Sequence, residues 1–254
     1  MSGGDLVILC YHAISDDWPG VGAVEPRALD RQVRHLLRRG YRPLTLSAAL
    51  AADPGERRLV VTFDDAFHSV LERGLPILQR LGVPATLFVP TDFPAEAAPM
   101  TWSTLEQWLG TVHEAELHCM SWEGVRRLAG LGWEIGSHTC SHPKLTELPR
   151  DEAAEELVRS KRVCEDELQR PCPSLAYPFG LRDPRVVALA SEAGYERGVT
   201  LGDRLLGARE RERPLELSRE GIYRSTRWPH FVAATSPLFG RVRASSPYRR
   251  LGPA

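Results

Sequence analysis

Lysine is almost missing from this chain: only Lys144 and Lys161 occur, and arginine carries nearly all of the positive charge. That bias reads as a coding preference, not as a device for binding phosphate. Neither sign of charge is in surplus. The 32 Lys+Arg stand against 33 Asp+Glu, a formal net charge of −1, so the sequence carries no electrostatic footprint for nucleic acid or an anionic membrane. No apolar run approaches the ~20 residues of a transmembrane helix, and there is no glycine-rich phosphate loop. The five cysteines, Cys10, Cys119, Cys140, Cys164 and Cys172, are odd in number and include no CxxC pair. A disulfide framework is therefore not expected, and a reduced, cytoplasmic protein is. Met1-Ser2-Gly3-Gly4-Asp5 places an acid where a secretory leader would carry positive charge.

What is present is ordinary for a globular protein: 43% apolar and 26% charged residues in 254. The length suits one α/β domain of barrel size. Asp5–His12 is a continuous apolar run ending in histidine, which predicts a strand buried on both faces. Further strands are predicted at Arg58–Phe63, Ala85–Val89, Trp133–Ile135, Ser174–Ala176 and Glu196–Thr200. Helices are predicted at Pro26–Arg39, Val70–Leu81, Trp122–Leu131, Arg150–Gln169 and Pro184–Ala193. Strand and helix alternate over short connections, the pattern of βα units around a parallel sheet or barrel. The irregular stretch 90–118, with Pro94, Pro99, Trp102 and Trp108, is expected to lie over one barrel end as a lid. A single catalytic domain over 1–235 is expected, followed by a tail at 236–254.

Four stretches at predicted strand ends carry candidate chemistry. Thr62-Phe63-Asp64-Asp65 sets two carboxylates side by side after a buried strand, where like charges oppose each other's ionisation. A bound cation relieves that conflict; a helix N-cap is the plainer alternative. Gly136-Ser137-His138-Thr139-Cys140-Ser141-His142 spaces two histidines at i and i+4, which share a face if the segment is a helical turn. With Asp65 they make a His₂Asp set, three ligands that leave a position open for hydrolytic chemistry. Ala176-Tyr177-Pro178-Phe179-Gly180 reads as a fixed turn that can present a backbone N–H, or as an ordinary β–α turn. Tyr11-His12 ends the first strand and is either a site histidine or a hydrogen-bonded core one.

TFDD, then HTxxH, then YPFG, in this order at the ends of strands, resembles the polysaccharide deacetylases of carbohydrate esterase family 4 from about Leu6 to Tyr223. The resemblance implies a distorted (β/α)7 barrel. It implies Asp64 as general base, and Asp65, His138 and His142 as ligands of a divalent metal, usually zinc, with cobalt, manganese and nickel as other ions of the same charge. The N–H of Phe179 would help hold the oxyanion. Three positions depart from the commoner pattern. Ala66 stands where glycine is common, and Ala176 where an arginine usually orients the base. The late strand that should end in a general-acid histidine is missing, since after Gly221 only His230 occurs. Ile8-Leu9-Cys10-Tyr11-His12 has the form of that strand, so the chain resembles the circularly permuted branch that includes poly-N-acetylglucosamine deacetylase. His12 is then the general acid, with His230 a distant second, and Arg219 is the candidate replacement for the missing arginine.

The implied reaction is metal-assisted hydrolysis of an acetamido group on an N-acetylated sugar or glycoconjugate intermediate, releasing acetate and a free amine. Tyr11, Tyr177 and above all Trp102 are candidate substrate or supporting residues; Trp108 and Trp122 are weaker ones. An amidase or imidase acting on a non-sugar natural product with the same metal site is the main alternative, and a non-catalytic sugar-binding relative is another.

Overall fold

The computed structural model describes residues 5–96, 99–202 and 213–236. Along the chain the elements are β1 (Leu6–Tyr11), β2 (Ala13–Ile14), β3 (Ala23–Val24), α1 (Pro26–Arg38), β4 (Arg42–Leu44), α2 (Leu46–Ala51), β5 (Arg58–Phe63), α3 (Leu75–Leu81), β6 (Thr86–Val89), α4 (Trp122–Gly130), β7 (Glu134–Ser137), α5 (Arg150–Leu168), β8 (Ser174–Ala176), α6 (Pro184–Glu192), β9 (Arg197–Leu201), β10 (Leu217–Gly221) and α7 (Trp228–Ala234). A π-helical turn at Val70–Gly74 leads into α3. The predicted helix over Val70–Leu81 is therefore two segments with different hydrogen bonding.

Seven parallel strands close on themselves in the order β1, β5, β6, β7, β8, β9, β10, with β10 returning to β1. This is the expected (β/α)7 barrel. The permutation shows in the pairing: β1 runs beside β5 from Leu6 opposite Arg58 to Tyr11 opposite Phe63, and its other edge meets β10 at Leu9–Glu220 and Cys10–Gly221. The distortion has a cause as well. β5 pairs with β4 along its first half, Arg42 opposite Arg58 to Leu44 opposite Val60, and with β6 only from Thr62 onward.

The segment Arg42–Ala51 was not anticipated as strand and helix. β4 has three residues, one of them Pro43, and α2 has six, too short for either periodicity to register. Its role is clear in space. Leu46 and Ala49 pack with Leu6, Ile8, Val60, Phe88, Ala176, Val199 and Leu217 inside the barrel. The Leu46 N–H donates to Thr86 Oγ1 at 3.0 Å, and the Ser47 N–H to Glu134 at 2.7 Å.

Alternation along the strands sorts the rest. Val7, Leu9, Tyr11, Leu59, Val61 and Phe63 face outward into the larger core beneath α1 and α3, while Leu6, Ile8 and Val60 face inward. Continuing by twos places Cys10, His12, Thr62 and Asp64 on the inner side, and Leu217 is followed by Arg219. The barrel interior therefore changes from apolar to polar toward the carboxyl ends of the strands.

The 90–118 segment is irregular, as expected, but anchored. Met100, Leu105 and Leu117 are buried, and Trp108 meets Trp18 edge-on at 6.1 Å. Antiparallel bridges join Pro99 to His118 and Phe67 to Cys119. Glu116 receives Arg73 and Ser15 at 2.9 Å. The expected tail lies outside the described residues beyond Ser236. No helix among the described residues is long and apolar enough to cross a membrane.

Gly136 in β7 tests the packing around the site. A Cβ there would fall 2.6 Å from the Phe88 ring and 2.8 Å from the Ser174 carbonyl oxygen, and backbone cannot yield as a side chain can. Gly136→Ala is expected to lower the unfolding free energy by about 1–3 kcal/mol, the range for overpacking, measured by urea denaturation.

Candidate active site

Asp64 follows β5 on the inner face and meets Arg219 from β10, 155 residues further along the chain. The guanidinium donates Nη1 to Oδ1 and Nη2 to Oδ2, both at 2.6 Å, a bidentate charge-assisted pair. Arg219 also donates to Thr62 Oγ1 at 2.9 Å and to the Thr200 carbonyl at 3.3 Å. Its side chain is sealed from solvent. Burial pushes the Asp64 carboxyl up, but the Arg219 charge, then His138, outweigh it and hold the group well below the usual carboxylate range. The guanidinium on Asp64 is Arg219's, while Ala176 offers only its carbonyl, to His138.

Asp65 turns away from this pair because its backbone enters the left-handed region, with φ of 67° followed by 51° at Ala66. Each such residue costs roughly 1–2 kcal/mol when it is not glycine. Neighbours fix the turn: the Met120 N–H donates to the Ala66 carbonyl at 2.8 Å and the His68 N–H to the His118 carbonyl at 2.9 Å. Asp65 Oδ1 then lies 3.3 Å from His138 Nε2 and 3.4 Å from His142 Nε2. It is buried and accepts no hydrogen bond among the described residues. His138 Nδ1 is 2.7 Å from the Ala176 carbonyl, which assigns the proton to Nδ1 and leaves Nε2 facing Asp65.

The two histidines converge by a route other than a helical turn. Residues 138–142 are a loop, and Thr139 and His142 have φ of 65° and 63°. Helical φ and ψ would continue from β7 into a straight turn; the left-handed residues instead fold the chain back so that the rings meet with centroids 4.8 Å apart. Trp102 stacks on the His142 ring at 4.0 Å and 23°, and Phe179 meets the same ring edge-on at 4.7 Å.

Burial lowers His142 to about 3, so it is neutral here. His138 differs: burial opposes its charge, but Asp64 and then Asp65 overcome that and raise it. Asp65, pushed up by burial, is brought down by His138 and His142.

The donor set fits a divalent ion. The two imidazole nitrogens lie 3.3 and 3.4 Å from the orphaned buried carboxylate oxygen, close to the edge of about 3.3 Å of a tetrahedron with zinc–nitrogen bonds of about 2.0–2.1 Å, and all three donor atoms lie within 4.8 Å of one another. Cys10, His12 and Asp64 also cluster, their donor atoms within 4.8 Å of one another. Arg219 already holds both Asp64 oxygens, and burial pushes the Cys10 thiol up, so that set is neutralised without a metal. Cys10 Sγ donates to Asp64 Oδ2 at 3.4 Å.

His12 is half-buried, beside Asp64 and stacked against Tyr223 at 6.3 Å, with an unpartnered Nδ1. His230 is exposed on α7, whose Trp228 and Phe231 pack on His35 of α1 outside the barrel. Phe179 has φ of 58° in a turn closed by the Gly180 and Leu181 N–H groups, which donate to the Tyr177 and Pro178 carbonyls. Tyr11 and Tyr177, the other candidate substrate or supporting residues, have no solvent-facing surface. Both are sealed, and their hydroxyls donate to Gln32 Oε1 at 2.8 Å and the Leu215 carbonyl at 3.0 Å. Tyr223 and Thr62 touch the site without having been singled out in the sequence. Thr62 opens the TFDD motif, where only the two carboxylates drew attention, and Tyr223 lies outside every motif.

The model of one family, polysaccharide deacetylase, matches residues 51–198. YxkH of Bacillus subtilis is 26% identical over 200 residues, 77% of this chain and 64% of that protein. The poly-beta-1,6-N-acetyl-D-glucosamine N-deacetylase of Staphylococcus aureus is 23% identical over 157 residues, 59% of this chain and 49% of that one. The chain thus spans 64% and 49% of the length of these two relatives. The fold is that of the Streptococcus pyogenes deacetylase PplD in complex with acetate, with a TM-score of 0.74, 22% identity and coverage of 93% of this chain and 100% of that one. It is equally that of IcaB from Ammonifex degensii, with a TM-score of 0.74, 21% identity and coverage of 92% and 98%.

Removing Arg219 leaves the Asp64 charge buried and alone. Arg219→Ala is expected to cost about 3–5 kcal/mol of unfolding free energy at pH 7, against about 1 kcal/mol for Tyr177→Phe, which loses one neutral hydrogen bond. The depressed Asp64 value gives the sign of the pH dependence. The pair's contribution is complete above the ordinary aspartate value of about 4 and is lost as pH falls through the folded value. The gap between wild type and Arg219→Ala should narrow toward pH 2 in urea melts.

Proposed function

Because the chain belongs to the polysaccharide deacetylase family, we propose that it hydrolyses the acetamido group of an N-acetylated sugar or glycoconjugate, with a divalent metal ion, zinc by preference, held by Asp65, His138 and His142. The observation that carries this reading is the convergence of Asp65 Oδ1 with two histidine Nε2 atoms at 3.3–3.4 Å, beside an Asp64 carboxylate that Arg219 keeps ionised.

The ion, when bound, supplies Lewis-acid polarisation of the amide carbonyl and acidifies water. Asp64 takes the proton that water loses as its oxygen bonds to the carbonyl carbon. Its Oδ2 lies 4.0 Å from His138 Nε2, on the side of the ligand set. Arg219 fixes the plane of that carboxylate and keeps it an acceptor at every pH near neutrality. The Phe179 N–H, held in its left-handed turn, serves the oxygen on which charge grows. When the carbon–nitrogen bond breaks, the leaving nitrogen takes a proton from His12, whose Nδ1 has no competing protein acceptor. The products are acetate and the free amine; Asp64 gives its proton up to solvent and His12 takes one back from it, which returns both groups to their starting states. Trp102, stacked on His142, closes one wall of the site against bulk water.

Acetate and amine released together from N-acetylglucosamine-containing compounds by the zinc-loaded protein would support the reading. Ammonia without acetate from cyclic imides, and no turnover of the sugars, would favour an imidase. Asp64→Asn is expected to lower kcat at least about a hundredfold while zinc content stays at one per chain; loss of the ion with it would contradict a role separate from ligation. Because His138 is raised by its carboxylates, a proton competes with the ion for Nε2. Zinc affinity should therefore rise about tenfold per pH unit until His138 titrates, and then level off, as read by chelator competition between pH 6 and 8.

A further inference from the structure

The loop that carries both histidines holds two left-handed residues, Thr139 and His142, that are not glycine. Such a path persists only where its surroundings over-determine it. One side is tied by backbone to the segment after β6: the Thr91 N–H donates to the Thr139 carbonyl at 3.0 Å and the Asp92 N–H to the Cys140 carbonyl at 3.1 Å. Inside the loop the Thr139 N–H donates to Ser137 Oγ at 3.1 Å and the His142 N–H to Thr139 Oγ1 at 3.2 Å.

On the side facing α5, the Cys140 thiol donates to the Glu156 backbone carbonyl at 3.5 Å, and both free N–H groups of the turn converge on one side chain. Glu156, in the second turn of α5, accepts the Cys140 N–H at 2.7 Å and the Ser141 N–H at 3.1 Å on Oε2, and the Ser141 hydroxyl at 2.7 Å on Oε1. All three donors lie between His138 and His142. The same face of α5 supports the start of the loop, where Ser137 Oγ donates to Ser160 Oγ at 2.8 Å. One turn from Glu156, Arg159 pairs with Asp92 at 2.8 Å and braces the neighbouring segment.

We infer that Glu156 is a positioning residue for the metal site: its carboxylate sets the 139–142 path and so brings His142 Nε2 and His138 Nε2 onto the same Asp65 oxygen. This rests on the metal reading above. It is a claim about geometry and not about net charge, and two substitutions separate these. Glu156→Gln keeps the reach and the shape. Its amide oxygen can accept both N–H groups, and its NH₂ can donate to Ser141 Oγ. Glu156→Asp keeps the charge but is one methylene short.

The experiment measures zinc affinity of the wild type and of Glu156→Ala, Glu156→Asp and Glu156→Gln by chelator competition, together with thermal melts of the metal-free proteins. Affinity is expected to fall by about 10–100-fold in Glu156→Ala and Glu156→Asp, the range for groups that orient ligands, and to stay within about threefold in Glu156→Gln. Equal affinity in the wild type and Glu156→Ala, or loss in Glu156→Gln with retention in Glu156→Asp, would overturn the inference. A readout without metal decides the case where Glu156→Ala does not fold or the wild type takes up no zinc. Ring-to-ring proton cross-relaxation between His138 and His142 should persist in metal-free Glu156→Gln and vanish in metal-free Glu156→Asp, and its persistence in Glu156→Asp would overturn the inference. Wild-type protein that binds no ion would sink the proposed function while leaving the positioning test intact.

Discussion

Asp64 and Asp65 are neighbours in the chain, and each is all but sealed from solvent. Two ionised carboxylates in that setting need a separate counter-charge each. Asp64 receives a full cation through two 2.6 Å bonds from Arg219. Asp65 receives no full cation from the protein; its Oδ1 faces two imidazole nitrogens and accepts no hydrogen bond. That asymmetry supports the two proposed roles, the ionised Asp64 as proton acceptor and the electrostatically short Asp65 as metal ligand. The left-handed backbone at Asp65 and Ala66 makes the separation possible, because it sends the second carboxylate off the line of the first.

The rest of the barrel serves this arrangement. Strand alternation puts Thr62, Asp64, Cys10 and Arg219 on one inner surface, above an apolar plug closed at the opposite end by Leu46 and Ala49. β1 must lie between β5 and β10 for His12 to reach Asp64, which is what the permuted strand order provides. The positive-φ non-glycine residues of the described chain are Asp65, Ala66, Thr139, His142, Phe179 and Gln169, and only the last, a helix C-cap, is away from the site. Strain gathers where side chains must converge against the run of the strands.

Much of the barrel was legible in the sequence, because parallel strands buried on both faces read as unbroken apolar runs, and the helices between them carry clean stripes. The motif residues were legible for the same reason, each falling where such a run stops. What escaped was set by tertiary contact. The i, i+4 histidines suggested a helical turn, and nothing local announced that Thr139 and His142 would turn left-handed under ties from β6 and α5. Tyr11 and Tyr177 looked like site aromatics because they adjoin motif residues. Tyr11 faces outward precisely where Cys10 faces in, a consequence of period-two geometry, and the Tyr177 hydroxyl is used up on Leu215. Trp102, a candidate substrate or supporting residue, stacks on His142, a contact no sequence pattern announced. Glu156 was one acid among many on an exposed-looking helix, and only the fold brings it beneath the loop.

The central claim is that Asp65, His138 and His142 take the ion while Asp64 stays on Arg219. Anomalous diffraction from zinc-loaded crystals tests it most directly. The account predicts one zinc peak within about 2.0–2.2 Å of Asp65 Oδ1, His138 Nε2 and His142 Nε2, with both Asp64–Arg219 bonds intact. A peak between Cys10, His12 and Asp64, or an Asp64 carboxylate swung off Arg219 onto the ion, would contradict it.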